Sequence, residues 1–266
     1  MKLHGAVVVV TGAGSGMGRE LTLQLVGKGA SVAAVDMREK TLAETRSLAE
    51  AKGGKVETFI ADITDRGIVE KLPGKIESTL GPVDVLINNA GIIQPFVRIN
   101  ELTLEDAAKV MAVNFTGPLM MVKSFLPGLL KRPAAHILNV ASMGAYAPVP
   151  GQSVYGASKA AIKLMTEGLR SELIDTNVGV TIVFPGAIDT NIAANSGMTA
   201  MSSDSSQAKF PMTSASDAAA AMIEAIEKGK PRLIIGRDAK MLDYISRINP
   251  VYAANMIYKQ MASLLK

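Results

Sequence analysis

The sequence has no cysteine and no tryptophan among its 266 residues, and its only histidines are His4 and His136. Without cysteine there is no disulfide, no zinc site with thiolate ligands and no thiol nucleophile. Two histidines are too few for a multi-histidine metal site. These absences exclude an alcohol dehydrogenase with a Cys/His zinc site and an aldehyde dehydrogenase that works through a thiohemiacetal. His136 lies in a predicted strand, and we interpret it as structural.

Aromatic residues make up only 4% of the chain, and the net charge of +4 comes from Lys and Arg scattered among acidic residues. Few aromatic rings leave few platforms on which nucleic-acid bases could stack, so nucleic-acid binding is not expected. No apolar run approaches the roughly 18 residues needed to span a bilayer, and residues 1–10 lack a signal-peptide pattern. We therefore expect a cytoplasmic protein without membrane contact.

Short β-branched runs alternate with longer segments of helical periodicity. Continuous apolar runs such as Val7–Val10 are typical of strands buried on both faces of a parallel sheet. The alternation predicts an α/β fold, a Rossmann-like doubly wound parallel sheet of about seven strands with helices on both faces, in one domain over residues 1–266. Strands are predicted at Ala6–Thr11, Ser31–Asp36, Val56–Ala61, Val83–Asn88, His136–Ala141, Val178–Phe184 and Arg232–Ile235, and helices at Gly18–Lys28, Glu39–Lys52, Arg66–Thr79, Thr103–Leu130, Tyr155–Thr176 and Ser216–Lys228.

Two segments interrupt this alternation. Residues 189–216 are long for a loop, and we interpret them as a substrate loop in which methionines adapt to several shapes. Residues 241–266 form a C-terminal extension with apolar residues at helical spacing. The extension could cover a neighbour's pocket, dock on its own domain or lie on a membrane surface, which Asp243 and the lack of clustered cations disfavour. The methionines are Met198, Met201 and Met212, and the apolar residues of the extension are Ile257, Met261, Leu264 and Leu265.

A glycine-rich segment, Thr11-Gly12-Ala13-Gly14-Ser15-Gly16-Met17-Gly18, joins the first predicted strand to the first predicted helix. Glycine lets the backbone turn sharply and approach a pyrophosphate, while the helix N-terminus offers free N–H groups to the phosphates. The spacing is G-x-x-x-G-x-G, formed by Gly12, Gly16 and Gly18, and not the common G-x-G-x-x-G. The segment predicts a dinucleotide-binding turn.

Asp36 ends the second predicted strand. A carboxylate at this position accepts hydrogen bonds from both ribose hydroxyls of NAD and repels a 2′-phosphate. The guanidinium of Arg38 could instead serve NADP, although neither Ser15 nor Met37 supplies a cation closer in. NAD(H) is favoured and NADP(H) stays open.

These residues resemble the short-chain dehydrogenase/reductase family in its single-domain branch. Residues 11–18 resemble its T-G-x-x-x-G-x-G motif, and residues 88–91 are similar to its N-N-A-G motif. Asp62 resembles the acid that meets the adenine, and residues 185–190 resemble the P-G segment that holds the nicotinamide carboxamide. The resemblance implies an oxidoreductase whose cofactor contacts are Gly12, Ser15, Gly16, Met17, Gly18, Asp36, Met37, Arg38, Asp62, Ile63, Asn89, Ala90, Gly91, Tyr155, Lys159, Pro185, Gly186, Ile188 and Thr190.

Asn114, Ser142, Tyr155 and Lys159 match the family's catalytic tetrad. Tyr155 and Lys159 are four residues apart, so their side chains project from one helix face. We expect the ammonium and the positive ring of an oxidised nicotinamide to lower the pKa of Tyr155 from about 10, which suits a general acid/base. Ser142 would hydrogen-bond the substrate oxygen. By resemblance, Asn114 would fix a water that links Lys159 to solvent; the alternative is an amide satisfied by backbone groups.

The predicted substrate side is mostly apolar and has no arginine placed to clamp a carboxylate. We therefore expect a neutral, hydrophobic secondary alcohol or ketone. The alternatives are an NADPH-dependent 3-oxoacyl-thioester reductase and a catalytically silent dinucleotide-binding sensor or scaffold. Apolar residues on more than one face of helices 103–130 and 155–176 favour a homodimer or homotetramer. The expected substrate contacts are Ser142, Met143, Gln152 and Tyr155, with Ala145, Val149, Ile93 and Phe96 nearby.

Overall fold

The computed structural model describes residues 1–147, 149–190, 192, 196, 212–262 and 265. Seven strands form one parallel sheet in the order β3-β2-β1-β4-β5-β6-β9. This confirms the predicted doubly wound α/β fold. The strands of this sheet are β1 (Val7–Thr11), β2 (Ser31–Asp36), β3 (Lys55–Ile60), β4 (Val85–Asn88), β5 (Ala135–Val140), β6 (Val178–Pro185) and β9 (Arg232–Ile235), while β7 (Ile188–Asp189) and β8 (Thr213–Ser214) form a separate parallel pair.

Helices pack on both faces of the sheet, because successive side chains of a strand point to opposite sides. In β1, Val8 and Val10 join one buried cluster, whereas Val7 and Val9 join the other. The helices are α1 (Gly16–Gly27), α2 (Glu39–Glu50), α3 (Arg66–Leu80), α4 (Leu104–Met111), α5 (Gly117–Leu129), α6 (Ser153–Glu172), α7 (Ala215–Lys228), α8 (Arg237–Ile248) and α9 (Pro250–Met261).

The strand order reverses between β1 and β4, and a crevice for ligands opens at such a point beyond the carboxyl ends of the strands. Thr11 ends β1 and joins the two sides. Its hydroxyl accepts hydrogen bonds from the backbone N–H groups of Asn89, at 3.0 Å, and Ala90, at 3.1 Å. Its carbonyl accepts from the side-chain amide of Asn89 at 3.0 Å. The glycine turn and the N-N-A-G segment therefore meet at the crevice.

The single helix predicted over Thr103–Leu130 is wrong in one respect. Helix α4 and helix α5 are separated by a π-helical segment, Ala112–Thr116. Pro118 has no N–H to donate to the carbonyl of Asn114 four residues earlier, so regular α-helical bonding cannot continue through this turn. The backbone N–H of Gly117 instead bonds the carbonyl of Ala112, five residues back.

The C-terminal extension docks on its own domain as two helices, α8 and α9. Leu242 of α8 and Ile257 of α9 are buried in a cluster with Ala147, against which Met143 and Val149 pack. Of the four apolar residues used to predict the extension, Leu264 lies outside the described residues. Within the described ranges, no helix combines the length and the apolar character that crossing a membrane requires.

His136 is buried in β5, as its structural interpretation requires. Its Nε2 lies 2.7 Å from the hydroxyl of Thr181, which donates to the carbonyl of Lys230, so Nε2 carries the proton of the neutral ring. Nδ1 faces Gly179, where an added Cβ would lie 2.5 Å away. Burial, helped by the positive N-terminus, lowers the pKa of His136 to about 4.

We expect His136 to make the protein less stable in acid. An unfolded histidine binds its proton near pH 6.5, so the unfolded state gains protons that the folded state refuses as the pH falls from about 6.5 to about 4. Between pH 7 and pH 4.5 this group should remove about 2–3 kcal/mol of the free energy of unfolding. Urea unfolding of the wild type and of His136→Gln checks this: the wild type should lose more stability over the interval, and equal losses would contradict the assignment.

Candidate functional site

The glycine turn is shaped by close contacts as well as by backbone conformation. Gly12 has φ +68° and Gly16 has φ +51°, values that favour glycine. A Cβ on Gly18 would collide with the carbonyl of Gly12. A Cβ on Gly14 would lie 2.5 Å from Oγ1 of Thr41 and 2.9 Å from Oδ2 of Asp36, so a side chain here would displace one of them, although the motif spacing does not include this glycine. Helix α1 begins at Gly16, two residues earlier than the sequence pattern predicts.

Asp36 closes the crevice at the end of β2. One carboxylate oxygen accepts a hydrogen bond from the backbone N–H of Gly14 at 3.0 Å, and the other accepts from the backbone N–H of Arg38 at 2.9 Å. The guanidinium of Arg38 lies 3.4 Å from the same carboxylate and donates to the hydroxyl of Ser15 at 3.2 Å. Asp36, which favours NAD, and Arg38, which could serve NADP, are therefore in contact with each other.

A first cleft of about 370 Å³ runs over the glycine turn. Thirteen of the predicted cofactor residues line it, and Gly18 is buried in α1 and does not. Lys109 of α4 also lines the cleft, and sequence reasoning missed it because nothing local marks an exposed helical lysine. The predicted residues in this cleft are Gly12, Ser15, Gly16, Met17, Asp36, Met37, Arg38, Asp62, Ile63, Asn89, Ala90, Gly91 and Thr190.

A second cleft of about 300 Å³ adjoins the first. It brings together Ser142, Tyr155 and Lys159 with a largely apolar wall, and Pro185, Gly186 and Ile188 line it as well. The two clefts share five lining residues. These are Met17, Asn89, Gly91, Thr190 and Ile192, and the expected substrate contacts on the wall are Met143, Gln152, Val149, Ile93 and Phe96.

Two residues expected near the substrate lie elsewhere. Ala145 packs against the cluster of Ile162, Ile182 and Phe184 in the core. Met212, at 51% exposure, faces solvent and does not line either cleft. Met198 and Met201, in the expected substrate loop, lie outside the described residues.

Tyr155 and Ser142 both line the second cleft. Burial raises the pKa of Tyr155, and the neighbouring hydroxyl of Ser142 only partly opposes this. Lys159 Nζ lies 5.9 Å from the centre of the Tyr155 ring and donates to the carbonyl of Val140 at 3.1 Å. Burial lowers the pKa of Lys159 to about 8. The expected fall in the pKa of Tyr155 is therefore not produced by the protein's own groups, because burial outweighs them.

Asn114 uses its side chain to fasten the π-helical segment to its neighbours. Its oxygen accepts from the backbone N–H of Ile92 at 2.9 Å, and its amide nitrogen donates to the carbonyl of Ile92 at 2.9 Å and to the hydroxyl of Ser158 at 3.0 Å. Both amide hydrogens are thus engaged. The alternative, an amide satisfied by backbone groups, holds for the two bonds to Ile92, while the third partner is the side chain of Ser158.

Gln94 is a positioning residue that sequence reasoning missed. Its side-chain oxygen accepts from the backbone N–H groups of Val154, at 2.8 Å, and Tyr155, at 2.9 Å, and so caps helix α6. Its amide nitrogen donates to the carbonyl of Gly151 at 2.8 Å, and its own carbonyl accepts from the side chain of Gln152 at 2.7 Å. No local signal marks this cap, because the helix it serves begins about 60 residues later.

We expect Gln94→Ala to lower the free energy of unfolding by about 2 kcal/mol, because it leaves the first N–H groups of α6 and the carbonyl of Gly151 without these partners. Chemical denaturation checks this. The matched control is Gln24→Ala, whose side chain makes exposed hydrogen bonds to Ser216 and should cost no more than about 0.5 kcal/mol. Equal effects of the two substitutions would contradict the capping role.

Known proteins resemble the chain in sequence and in fold. A family model described as short chain dehydrogenase matches residues 6–200. "Putative oxidoreductase SadH" of Mycobacterium tuberculosis is 34% identical over 252 residues, which cover 92% of this chain and 91% of that protein. "Probable oxidoreductase EphD" of the same organism is 36% identical over 256 residues, which cover 92% of this chain but only 43% of that protein. The chain thus spans less than half the length of EphD.

Solved structures of similar proteins share the fold. A short chain dehydrogenase/reductase from Burkholderia phymatum in complex with NAD matches with a TM-score of 0.80 and 28% identity, covering 88% of this chain and 90% of that chain. A short chain dehydrogenase from Burkholderia cenocepacia in complex with NADP matches with a TM-score of 0.81 and 29% identity, covering 97% of this chain and 99% of that chain. The chain belongs to the short-chain dehydrogenase family of oxidoreductases.

Proposed function

We propose that this protein transfers a hydride between a nicotinamide dinucleotide and a neutral, apolar secondary alcohol or ketone, with Tyr155 as general acid/base. The observation that carries the proposal is the junction of the two clefts. The first contains the glycine turn and Asp36, the second contains Ser142, Tyr155 and Lys159, and they meet at Asn89, Gly91 and Thr190. A dinucleotide lying along the first cleft would reach the second with its nicotinamide end.

The residues of the first cleft fit such a cofactor. The N-terminus of α1 begins within the glycine turn and presents N–H groups and a positive dipole end to a pyrophosphate. Oδ2 of Asp36 accepts one hydrogen bond, from Gly14, and has a lone pair left for a ribose hydroxyl, whereas Oδ1 accepts from both the backbone N–H and Nε of Arg38. Asp62 and Ile63 line the part of the cleft that would hold the adenosine end. When bound, the dinucleotide accepts or donates the hydride, while the protein supplies binding, orientation and protons.

The proton would move through Tyr155. Because burial raises its pKa, the phenol holds its proton at neutral pH and is ready to donate it to a carbonyl oxygen during reduction. Ser142, which lines the same cleft, would hold the same substrate oxygen. For oxidation the phenol must lose its proton, which the cations Lys159 and oxidised nicotinamide favour.

Lys159 would hold the nicotinamide ribose and pass protons outward. Its ammonium is buried and donates to the carbonyl of Val140. Gly91 lies next to both Lys159 and Asn114, since a Cβ on Gly91 would be 3.2 Å from Nζ of Lys159 and 3.2 Å from Oδ1 of Asn114. Because the side chain of Asn114 is engaged with Ile92 and Ser158, we assign the expected water contact to the carbonyl of Asn114, to which Pro118 cannot donate.

The wall of the second cleft supports an apolar substrate. Ile93, Phe96, Met143 and Val149 line it, and no arginine does so among the described residues. A carboxylate substrate would therefore lack the bidentate partner that such groups usually find. A neutral alcohol or ketone would meet Ser142 and Tyr155 at its oxygen and apolar side chains elsewhere.

We propose NAD(H) as the preferred cofactor. A 2′-phosphate would approach the carboxylate of Asp36, and the cation of Arg38 is bonded to that carboxylate and to Ser15. Relatives of known structure bind either dinucleotide, one NAD and one NADP, so membership of the family does not decide between them.

The expected homo-oligomer stays a prediction that exposed apolar residues support. Leu104 of α4 and Leu164 of α6 are 83% and 69% exposed, and both helices belong to the segments expected to pair across a twofold axis.

Tyr155→Phe should lower kcat by about 10²–10⁴-fold, because it removes the proton donor and acceptor while keeping the ring. Dinucleotide affinity should change little. Steady-state assays with a panel of alcohols and ketones, together with calorimetric binding, check both statements. Tyr252→Phe is the matched control: it removes the phenol hydroxyl of an exposed side chain of α9 that lines neither cleft, and it should leave most activity. Near-normal turnover of Tyr155→Phe would contradict the proposal.

Asp36→Asn should lower the NAD-to-NADP affinity ratio by about tenfold or more, because it removes the charge that repels a 2′-phosphate but keeps an oxygen for the N–H of Gly14. Calorimetric titration of both dinucleotides into wild type and variant measures the ratio. A wild type that binds NADP more tightly, or an unchanged ratio in the variant, would contradict the preference for NAD.

A further inference from the structure

Asp238 lies in the first turn of α8, far in sequence from every motif used above. Its carboxylate accepts a hydrogen bond from the backbone N–H of Ala187 at 2.8 Å. Ala187 belongs to the segment that follows β6 and lines the second cleft between Gly186 and Ile188. A carboxylate at the start of α8, the helix that leads into the C-terminal extension, thus holds the backbone of the cleft wall directly.

The carboxylate is enclosed by two glycines. A Cβ on either Gly186 or Gly236 would collide with the side chain of Asp238. The backbone N–H of Gly186 donates to the carbonyl of Ile235 at 2.8 Å, so the same segment is also tied to the end of β9. The lack of a side chain at Gly186 therefore leaves room for the carboxylate of Asp238.

The backbone of Ala187 is held by hydrogen bonds at both its N–H and its carbonyl. Asp238 accepts from its N–H, and its carbonyl accepts from the backbone N–H of Thr213 at 3.0 Å, which begins the pairing of β7 with β8. Because residues 188 and 190 follow directly and line the clefts, the position of this peptide sets where they stand. The bond to a charged acceptor is the stronger type of hydrogen bond, so its loss should matter.

Helix α8 is itself firmly anchored at this end. The hydroxyl of Tyr146 donates to the carbonyl of Ala239 at 3.0 Å, and Ala239 and Leu242 are buried. Asp238 therefore acts from a rigid support, as a residue that positions a neighbouring loop should.

We propose that Asp238 is a positioning residue for the nicotinamide half of the cofactor: it fixes the peptide of Ala187 so that residues 186–190 are preorganised beside Tyr155. This inference rests on the proposed function. It links helix α8 to cofactor binding, because α8 carries both this carboxylate and Leu242, which belongs to the cluster behind Met143 and Val149. The adenosine half of the cofactor, which would bind at Asp36, should not depend on Asp238.

The test separates the two halves of the cofactor. Calorimetry measures the affinities of the preferred dinucleotide and of its nicotinamide-free fragment, ADP-ribose or its 2′-phosphate, for wild type, Asp238→Ala and Asp238→Asn. Asp238→Ala should weaken dinucleotide binding by about tenfold and fragment binding by less than about twofold. Asp238→Asn keeps an oxygen for Ala187 and should restore most of the dinucleotide affinity.

Asp243→Ala is the matched control, since it removes another carboxylate of α8 that contacts arginines instead of the loop. It should leave the ratio of the two affinities unchanged even if the protein becomes less stable. Hydrogen exchange of the free protein gives a readout that needs no cofactor: residues 186–190 should exchange faster in Asp238→Ala and not in Asp243→Ala.

The outcomes distinguish the two proposals. If the wild type binds the dinucleotide, but Asp238→Ala weakens both ligands equally or neither, the positioning role is overturned and the proposed function stands. Unchanged exchange of residues 186–190 in Asp238→Ala also overturns the positioning role. If the wild type binds neither ligand, the proposed function fails and the inference fails with it.

Discussion

The contact between the ends of β1 and β4 is the constraint on which the site depends. The hydroxyl of Thr11 accepts hydrogen bonds from the backbone N–H groups of Asn89 and Ala90. The two chain segments are so close that a Cβ on Gly12 would lie 2.9 Å from the Cα of Ala90. This close approach is possible because the strand order reverses here and leaves the two carboxyl ends side by side. Both clefts open from this junction, and Asn89 lines both of them.

The side chains proposed for chemistry are held by partners that are distant in sequence. Gln94 caps helix α6. The hydroxyl of Ser158, on the same helix, accepts a hydrogen bond from the side-chain amide of Asn114 in the π-helical segment. Asp238 holds the opposite wall through Ala187. Such long-range bonds preorganise a site, because each lost partner leaves a polar group without its acceptor or donor in the protein. The proposed catalytic geometry is therefore a property of the whole sheet edge and not of α6 alone.

The pKa values of Tyr155 and Lys159 depend both on burial within the protein and on the charge that a bound cofactor would add. Burial raises the pKa of Tyr155 and lowers that of Lys159, so both side chains are pushed toward their neutral forms. The charges near Tyr155 follow from the motif, whereas the removal of water from its hydroxyl depends on how the folded chain encloses the cleft. The positive charge of an oxidised nicotinamide would add to that of Lys159 in favouring the phenolate that the proposed oxidation requires.

The sequence alone determined the alternating fold and the positions of Gly12, Asp36, Ser142, Tyr155 and Lys159, because periodicity and motif spacing are local properties that adjacent residues encode. Only the tertiary structure decided the break at Pro118, the docking of α8 and α9, and the partners Gln94 and Asp238. A helix-period pattern does not reveal that Asn114 is bonded across to Ile92, nor that the N–H groups of α6 find an acceptor about 60 residues away. Long-range hydrogen bonds depend on which elements the sheet brings together, and no local pattern encodes that.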